Sequence, residues 1–163
     1  MTRLLTTIAK MSWLSDKQLC DKVKKNGNRK LREAFYGVYP IDALPEFVPH
    51  LPIFIIVNTH THNLQGEHWK TIFIDRNRHG EVFDSLAQPM SDLLVRWMNR
   101  FTRRWITNRK VYQHAQSTTC GAFALYFIFK RLDYPSLNSV TQSFTRSMMK
   151  NESLVSSFYK VLK

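Results

Sequence analysis

The stretch from Gly121 to Phe129 reads Gly-Ala-Phe-Ala-Leu-Tyr-Phe-Ile-Phe and meets no charge until Lys130 and Arg131 close it. A helix this apolar on every side is stable only when other elements surround it. The run therefore predicts a helix at the centre of the core, with Pro135 beyond it as a stop signal. A lone thiol, Cys120, opens that helix. Whatever fold the chain adopts must bring this cysteine to the first turn of its most buried segment.

The remaining elements follow from local chemistry. Ser15 reads as an N-cap with Gln18 three residues on, and Leu14 with Leu19 as a hydrophobic staple; this predicts a helix ending at Asn26-Gly27 in a left-handed C-cap. A short helical turn follows over Leu31 to Phe35. Pro40, Pro45, Pro49 and Pro52 crowd residues 37–52 and predict an ordered loop. Ile53 to Asn58 is an unbroken β-branched apolar run, hence a buried strand. Residues 59–67 are polar and read as a loop. Trp69 to Asp75 and Glu81 to Asp84 read as two further strands, joined by a turn over 76–80 and paired antiparallel. Ser91 begins a helix expected to run to about Ile106, with Leu94, Trp97, Met98, Phe101 and Trp105 inward and arginines outward. Lys110 to Gln113 reads as a short strand. Two closing helices are expected over 137–144 and 152–162.

A length of 163 residues suits one domain, here 1–163. The basic N-terminal helix is placed at 15–26, and residues 1–12 read as a frayed start. Met11 is an alternative point of initiation, and the acid-free residues 1–10 have a faint organellar-leader character. No apolar run reaches the roughly 18 to 20 residues of a membrane span, so no membrane partner is expected. Cys20 and Cys120 make no disulfide framework and read as reduced thiols.

The net charge is +12. Such an excess implies an acidic partner, most simply nucleic acid. The charge is unevenly spread: residues 17–32 hold seven cations against Asp21, and residues 96–110 hold six and no acid. Lys24, Lys25, Arg29, Arg96, Arg100, Arg103 and Arg104 are the candidate DNA contacts; the plainer alternative is a solvated basic surface.

Four residues form a possible reaction centre. Cys120 at a helix N-terminus lies where unpaired N–H groups favour an anion, and Gly121 leaves approach to the sulfur open. The ordinary alternative is a buried structural cysteine. His68, beside Trp69, sits where loop becomes strand and could take the thiol proton. Asp84, closing the next strand, could fix that imidazole, and could equally form an Asx turn with Ser85. Gln113, seven residues before the thiol, or Gln116, four before it, could offer an amide to a developing oxyanion together with the Cys120 N–H. A metal site through His60, His62 and His68 or Cys120 is the competing arrangement. The sequence has neither CxxC nor HExxH spacing, and no metal is expected.

Ile56-Val57-Asn58-Thr59, Gly66-Glu67-His68-Trp69, Phe83-Asp84, Gln113 and Cys120-Gly121 together resemble the adenovirus-type cysteine proteases (adenain family). The likeness is greater to relatives in self-synthesising DNA transposons (Polinton type) and adenovirus-related viruses (adintovirus and adomavirus type). Phe35-Tyr36-Gly37-Val38-Tyr39 and Asp42-Ala43-Leu44-Pro45 fit the same group. The resemblance implies an α+β fold: a small central mixed or antiparallel sheet flanked by helices, with the nucleophile at the start of a buried central helix. It implies a cysteine endopeptidase with His68 as general base, Asp84 as its orienter, Gln113 as oxyanion donor and Cys120 as nucleophile. Viral precursor proteins are the implied substrates, and virion and host nucleus the implied location. No cofactor is required; DNA and a short viral peptide are the implied activators, and the protein is expected to be a monomer. Adenovirus enzymes carry Glu as the acidic member; this chain has Asp84, as in the SUMO-deconjugating relatives. Only Cys20 remains to pair with a peptide, which argues against a disulfide-linked activator. Two other readings stay open: a ubiquitin-like or SUMO-deconjugating protease on the same fold, and a non-enzymatic DNA-binding virion protein.

Overall fold

The computed structural model describes residues 12–59 and 68–163. The frayed-start reading of 1–12 falls almost entirely outside them, as do His60 and His62. The described elements are α1 (Asp16–Asn26), α2 (Arg29–Ala34), β1 (Phe35–Pro40), a 3-10 turn (Ile41–Ala43), β2 (Ile53–Asn58), β3 (Trp69–Ile74), β4 (His79–Phe83), α3 (Asp92–Phe101), β5 (Arg104–Thr107), α4 (Cys120–Arg131), α5 (Leu137–Thr141) and α6 (Met148–Val161).

The five strands form one mixed sheet in the order β1-β2-β3-β4-β5. The inner pairs β2/β3 and β3/β4 are antiparallel, and each outer strand is parallel to its neighbour. Both faces of the sheet are covered. Ile53, Ile55, Val57, Ile72, Ile74 and Val82 pack with Leu94, Trp97 and Met98 of α3. Phe54, Ile56, Trp69, Phe73 and Phe83 face the other way, onto α4 and the helices around it. Every α4 residue from Cys120 to Ile128 is buried, as its composition requires. Phe127 of α4 stacks on Phe83 of β4 with ring centroids 4.8 Å apart. Burying one such ring stabilises the fold by about 1.5–3 kcal/mol.

The start of α1 has the expected capping box: Ser15 Oγ accepts from Gln18 N at 3.2 Å, and Gln18 Oε1 accepts from Ser15 N at 2.8 Å. Its end differs from expectation. Gly27 is extended (φ −63°, ψ 139°) rather than left-handed. Glycine is needed there because a Cβ would stand 2.6 Å from the Val23 carbonyl oxygen.

Two strands arise where the sequence suggests other structure. β1 occupies the start of the proline-rich segment: the ladder runs to Pro40, and the edge position of this strand tolerates a residue without an N–H. β5 replaces the last turn expected of α3. Thr102 ends that helix, its N–H and hydroxyl both donating to the Met98 carbonyl (2.9 and 2.7 Å). Arg103 N then donates to Arg78 O at 2.9 Å and starts the pairing with β4. Trp105 therefore belongs to a strand, its indole N–H held by Asn99 Oδ1 at 2.9 Å. Residues 110–113 are not a strand but an irregular segment, and α5 stops at Thr141, short of the expected Phe144.

Candidate active site

Three segments meet where the sheet abuts the start of α4. His68 immediately precedes β3, Asp84 immediately follows β4, and Cys120 is the first residue of α4. All three side chains are buried: His68 is 5%, Asp84 1% and Cys120 1% exposed.

Asp84 is the most heavily bonded group. One oxygen, Oδ1, lies 2.6 Å from His68 Nε2 and accepts Leu86 N at 2.8 Å. The other, Oδ2, lies 3.1 Å from Lys70 Nζ and accepts Gln88 N at 2.9 Å. The Asx turn and the imidazole contact thus coexist on one carboxylate. Its backbone is clamped by the Asn108 amide, which accepts from Asp84 N at 2.9 Å and donates to Asp84 O at 2.7 Å. Burial alone would push the carboxyl pKa up. The hydrogen bond and charge of His68, the charge of Lys70 and the Leu86 N–H outweigh it, so the carboxyl titrates below its ordinary range.

A neutral imidazole that donates Nε2–H to this carboxylate keeps a lone pair on Nδ1. Nδ1 is buried and has no hydrogen-bond partner among the described residues. It is left as the accepting nitrogen of the ring.

Cys120 lies against the following peptide. Burial pushes its thiol up to about 11, and the negative charge of Asp84 adds to the rise; backbone N–H groups of Trp69, Gly121 and Cys120 itself act in the opposite sense. The Cys120 and Gly121 N–H groups are available because α4 has no side-chain cap: Thr119 is its N-cap residue, yet its hydroxyl is turned to Ser117 Oγ (2.7 Å) and Glu152 Oε1 (3.3 Å). The uncapped first turn faces the sulfur, and an anion there would meet oriented dipoles. Gly121 serves packing more than access, since a Cβ would stand 2.9 Å from Leu14 Cδ1. Leu14 is held in place by the Trp69 indole, which donates to its carbonyl at 3.1 Å.

Gln113 is 1% exposed and Gln116 is exposed in the turn closed by Ser117 N to His114 O. The Gln113 amide is held at both ends. Its Oε1 accepts from Ser85 Oγ at 2.6 Å, and its Nε2 donates to Ser117 O at 2.9 Å. Ser117 O can only accept, which fixes which end of the amide is nitrogen. A primary amide has two N–H donors, so one remains for another acceptor.

Lys70, Ser85 and Asn108 belong to this cluster and are missed by reading motifs. Lys70 was detectable as a lone cation in the otherwise uncharged strand 69–74, and the structure buries it to 3% exposure. Ser85 and Asn108 carry no comparable signal, since their roles come from hydrogen bonds across 24 and 28 residues of chain.

The seven candidate DNA contacts are exposed but do not form one surface. Lys24, Lys25 and Arg29 lie on α1 and α2, whose buried residues join the α4 side of the sheet. Arg96 and Arg100 lie on α3, on the opposite side, and Arg103 and Arg104 follow it at the β5 edge. Arg29 is already paired with Glu33 at 2.7 Å. Among the described residues no group of three metal-ligating side chains occurs, and no helix is long and apolar enough to cross a membrane.

Residues 11–157 match the family model described as the Ulp1 protease family, C-terminal catalytic domain. Several solved structures share the fold. One of the ASFV pS273R protease is 18% identical over 88% of this chain, with a TM-score of 0.64. A second, of its selenomethionine form, is 24% identical over 66%, with a TM-score of 0.50. The chain spans 66% and 44% of the length of those two proteins. The central domain of Lpg1148 from Legionella pneumophila is 11% identical over 94% of this chain and all of its own, with a TM-score of 0.54. The SUMO protease Ulp1, its catalytic cysteine oxidised to a sulfenic acid, is 15% identical over the whole of this chain and 85% of its own, with a TM-score of 0.50. No curated protein sequence matches. The mixed five-stranded sheet with Cys120 at the head of its packed helix is therefore the Ulp1-type cysteine protease fold.

Proposed function

The chain belongs to the Ulp1 protease family and is thus a cysteine protease; we propose that it is a viral-type endopeptidase that cuts precursor proteins with Cys120, His68, Asp84 and Gln113. The observation that carries this reading is the 2.6 Å bond from His68 Nε2 to Asp84. It leaves Nδ1 as the accepting nitrogen, on the residue that precedes Trp69, whose N–H acts on the sulfur.

The chemistry follows from that placement. Because burial holds the thiol near 11, Cys120 rests as a thiol, and its proton passes to His68 Nδ1 as Sγ attacks the scissile carbonyl carbon. Asp84 stabilises the imidazolium so formed without itself taking the proton. The tetrahedral oxyanion receives the unused Gln113 N–H and the Cys120 backbone N–H. Gln113 is preferred to Gln116 for this task because it is buried and already oriented. Collapse expels the amine, protonated by His68. Water, deprotonated by His68, then attacks the thioester, releasing the carboxylic acid and returning the thiol.

Likeness to a viral protease and the adenain-type motif order support precursor cleavage in virion assembly, in the host nucleus and the particle. The exposed cations of α3 and β5 support attraction to DNA, with binding that weakens steeply with salt. A short viral peptide is a further activator to test. A second reading, deconjugation of a ubiquitin-like protein, is supported by the full-length likeness to a SUMO protease. The deciding experiment compares cleavage of viral precursor polypeptides with labelling by a probe ending in a ubiquitin-like Gly-Gly. Precursor cleavage abolished by Cys120→Ala, without rapid labelling of the parent, supports the endopeptidase; rapid labelling without precursor cleavage supports the deconjugase. Activity that survives Cys120→Ala overturns both.

A further inference from the structure

Ser85 makes three hydrogen bonds to the candidate oxyanion donor and the residue before it. Its hydroxyl donates to Gln113 Oε1 at 2.6 Å, and its carbonyl accepts the backbone N–H groups of Tyr112 and Gln113 at 2.8 and 3.2 Å. Both side chains are 1% exposed, so water does not substitute for either partner. Ser85 also follows Asp84 directly, and Asp84 holds His68. Two adjacent residues at the end of β4 therefore grip the two groups that must act together on one carbonyl. The segment 110–113 has no strand pairing of its own, so its position depends on this contact more than a ladder residue would.

We propose that Ser85 is the positioning residue for Gln113: its hydroxyl fixes the amide so that the second Nε2–H points at the developing oxyanion. This rests on the catalytic reading given above. With Ser85 reduced to alanine, Oε1 loses its donor inside a dry site, and the amide keeps only its bond to Ser117 O and can tilt about its last torsion. The donor is then present but misaimed, and oxyanion stabilisation depends steeply on geometry. Ground-state binding is unaffected, because the oxyanion exists only after attack.

The test is a cycle of Ser85→Ala, Gln113→Ala and the double variant, each read for kcat, KM and the rate of Cys120 alkylation by a small haloacetamide. Alkylation needs the thiolate but no oxyanion hole, so it separates positioning of Gln113 from general damage. Gln113→Ala is expected to lower kcat by roughly a hundred- to a thousandfold. Ser85→Ala is expected to lower it roughly tenfold or more, with KM and alkylation held within about twofold, and to add nothing on top of Gln113→Ala. Additive losses, or equal loss of alkylation, overturn the assignment of Ser85. An unimpaired Gln113→Ala instead overturns the role of Gln113. If Ser85→Ala does not fold, the isosteric pair Ser85→Thr and Ser85→Val makes the same comparison, the hydroxyl-bearing member being expected to retain the higher kcat. Equal kcat in the two refutes the proposal.

Discussion

The two halves of the candidate site are built on opposite principles. On the sheet side, the Asp84 carboxylate receives four partners, one of them Lys70, and its backbone receives two more from Asn108. On the helix side, Cys120 sits at an uncapped helix start, under burial that drives its thiol to about 11. The acid-base half is locked before substrate arrives, whereas the nucleophile half is held in reserve. On the proposed mechanism, this contrast lets a buried cysteine be stable at rest and still react. On that mechanism, the cost of ionising it is met by a base fixed in place and by backbone donors turned to the sulfur.

The largest effect should come from removing the nucleophile. Cys120→Ala should leave the fold intact and reduce peptide cleavage to background; residual cleavage near the parent rate would break the comparison at its centre. On the other half, His68→Ala should lower kcat by roughly a hundred- to ten-thousandfold, as loss of a general base does. Asp84→Asn should approach that loss and should also destabilise the fold by about 3–5 kcal/mol, because it strands Lys70 as an unpaired buried cation. Denaturant unfolding measures the second effect. A stable but inactive Asp84→Asn would mean that Lys70 finds another partner, which would sharpen the account of the sheet side.

A smaller pair of effects separates the halves by pH. The Asp84 carboxyl is lowered by folding, so its stabilising contribution is fully present above the unfolded carboxyl range. It is lost as pH falls through the folded value. The Cys120 thiol is raised, so its contribution is present below about 8.5 and fades as pH climbs toward 11. Melting temperatures of the parent, Asp84→Asn and Cys120→Ala should diverge at opposite ends of the pH scale: the carboxylate variant should flatten the acid side only, and the thiol variant the alkaline side only. The smallest expected effect lies outside the site. Charge reversal of Arg103 and Arg104 should weaken DNA binding and flatten its salt dependence without changing cleavage of a short peptide.

Much of the framework is legible in the sequence because it is encoded locally. The apolar run of α4, the β-branched run of β2 and the Ser15/Gln18 box each declare an element within a few residues. β1 and β5 are hidden for a physical reason: both are edge strands whose partner lies far along the chain, and their own residues carry contrary signals. Pro40 ends β1 and further prolines follow it, and the helical spacing of Trp97, Phe101 and Trp105 runs on into β5. At the site, His68, Asp84, Gln113 and Cys120 can be picked out as types able to act. Lys70 is signalled as the lone cation of an apolar strand, whereas Ser85 and Asn108 cannot be identified by type, because their importance lies only in what they touch.

The central claim is that His68 enables a thiol that would otherwise stay protonated. Its most direct test is the pH dependence of Cys120 alkylation in the parent and in His68→Ala, followed by mass spectrometry so that Cys20 is counted separately. The parent should react readily at neutral pH, because His68 takes the thiol proton as the sulfur attacks, while His68→Ala should react appreciably only at strongly alkaline pH. Superimposable profiles for the two proteins would contradict the account.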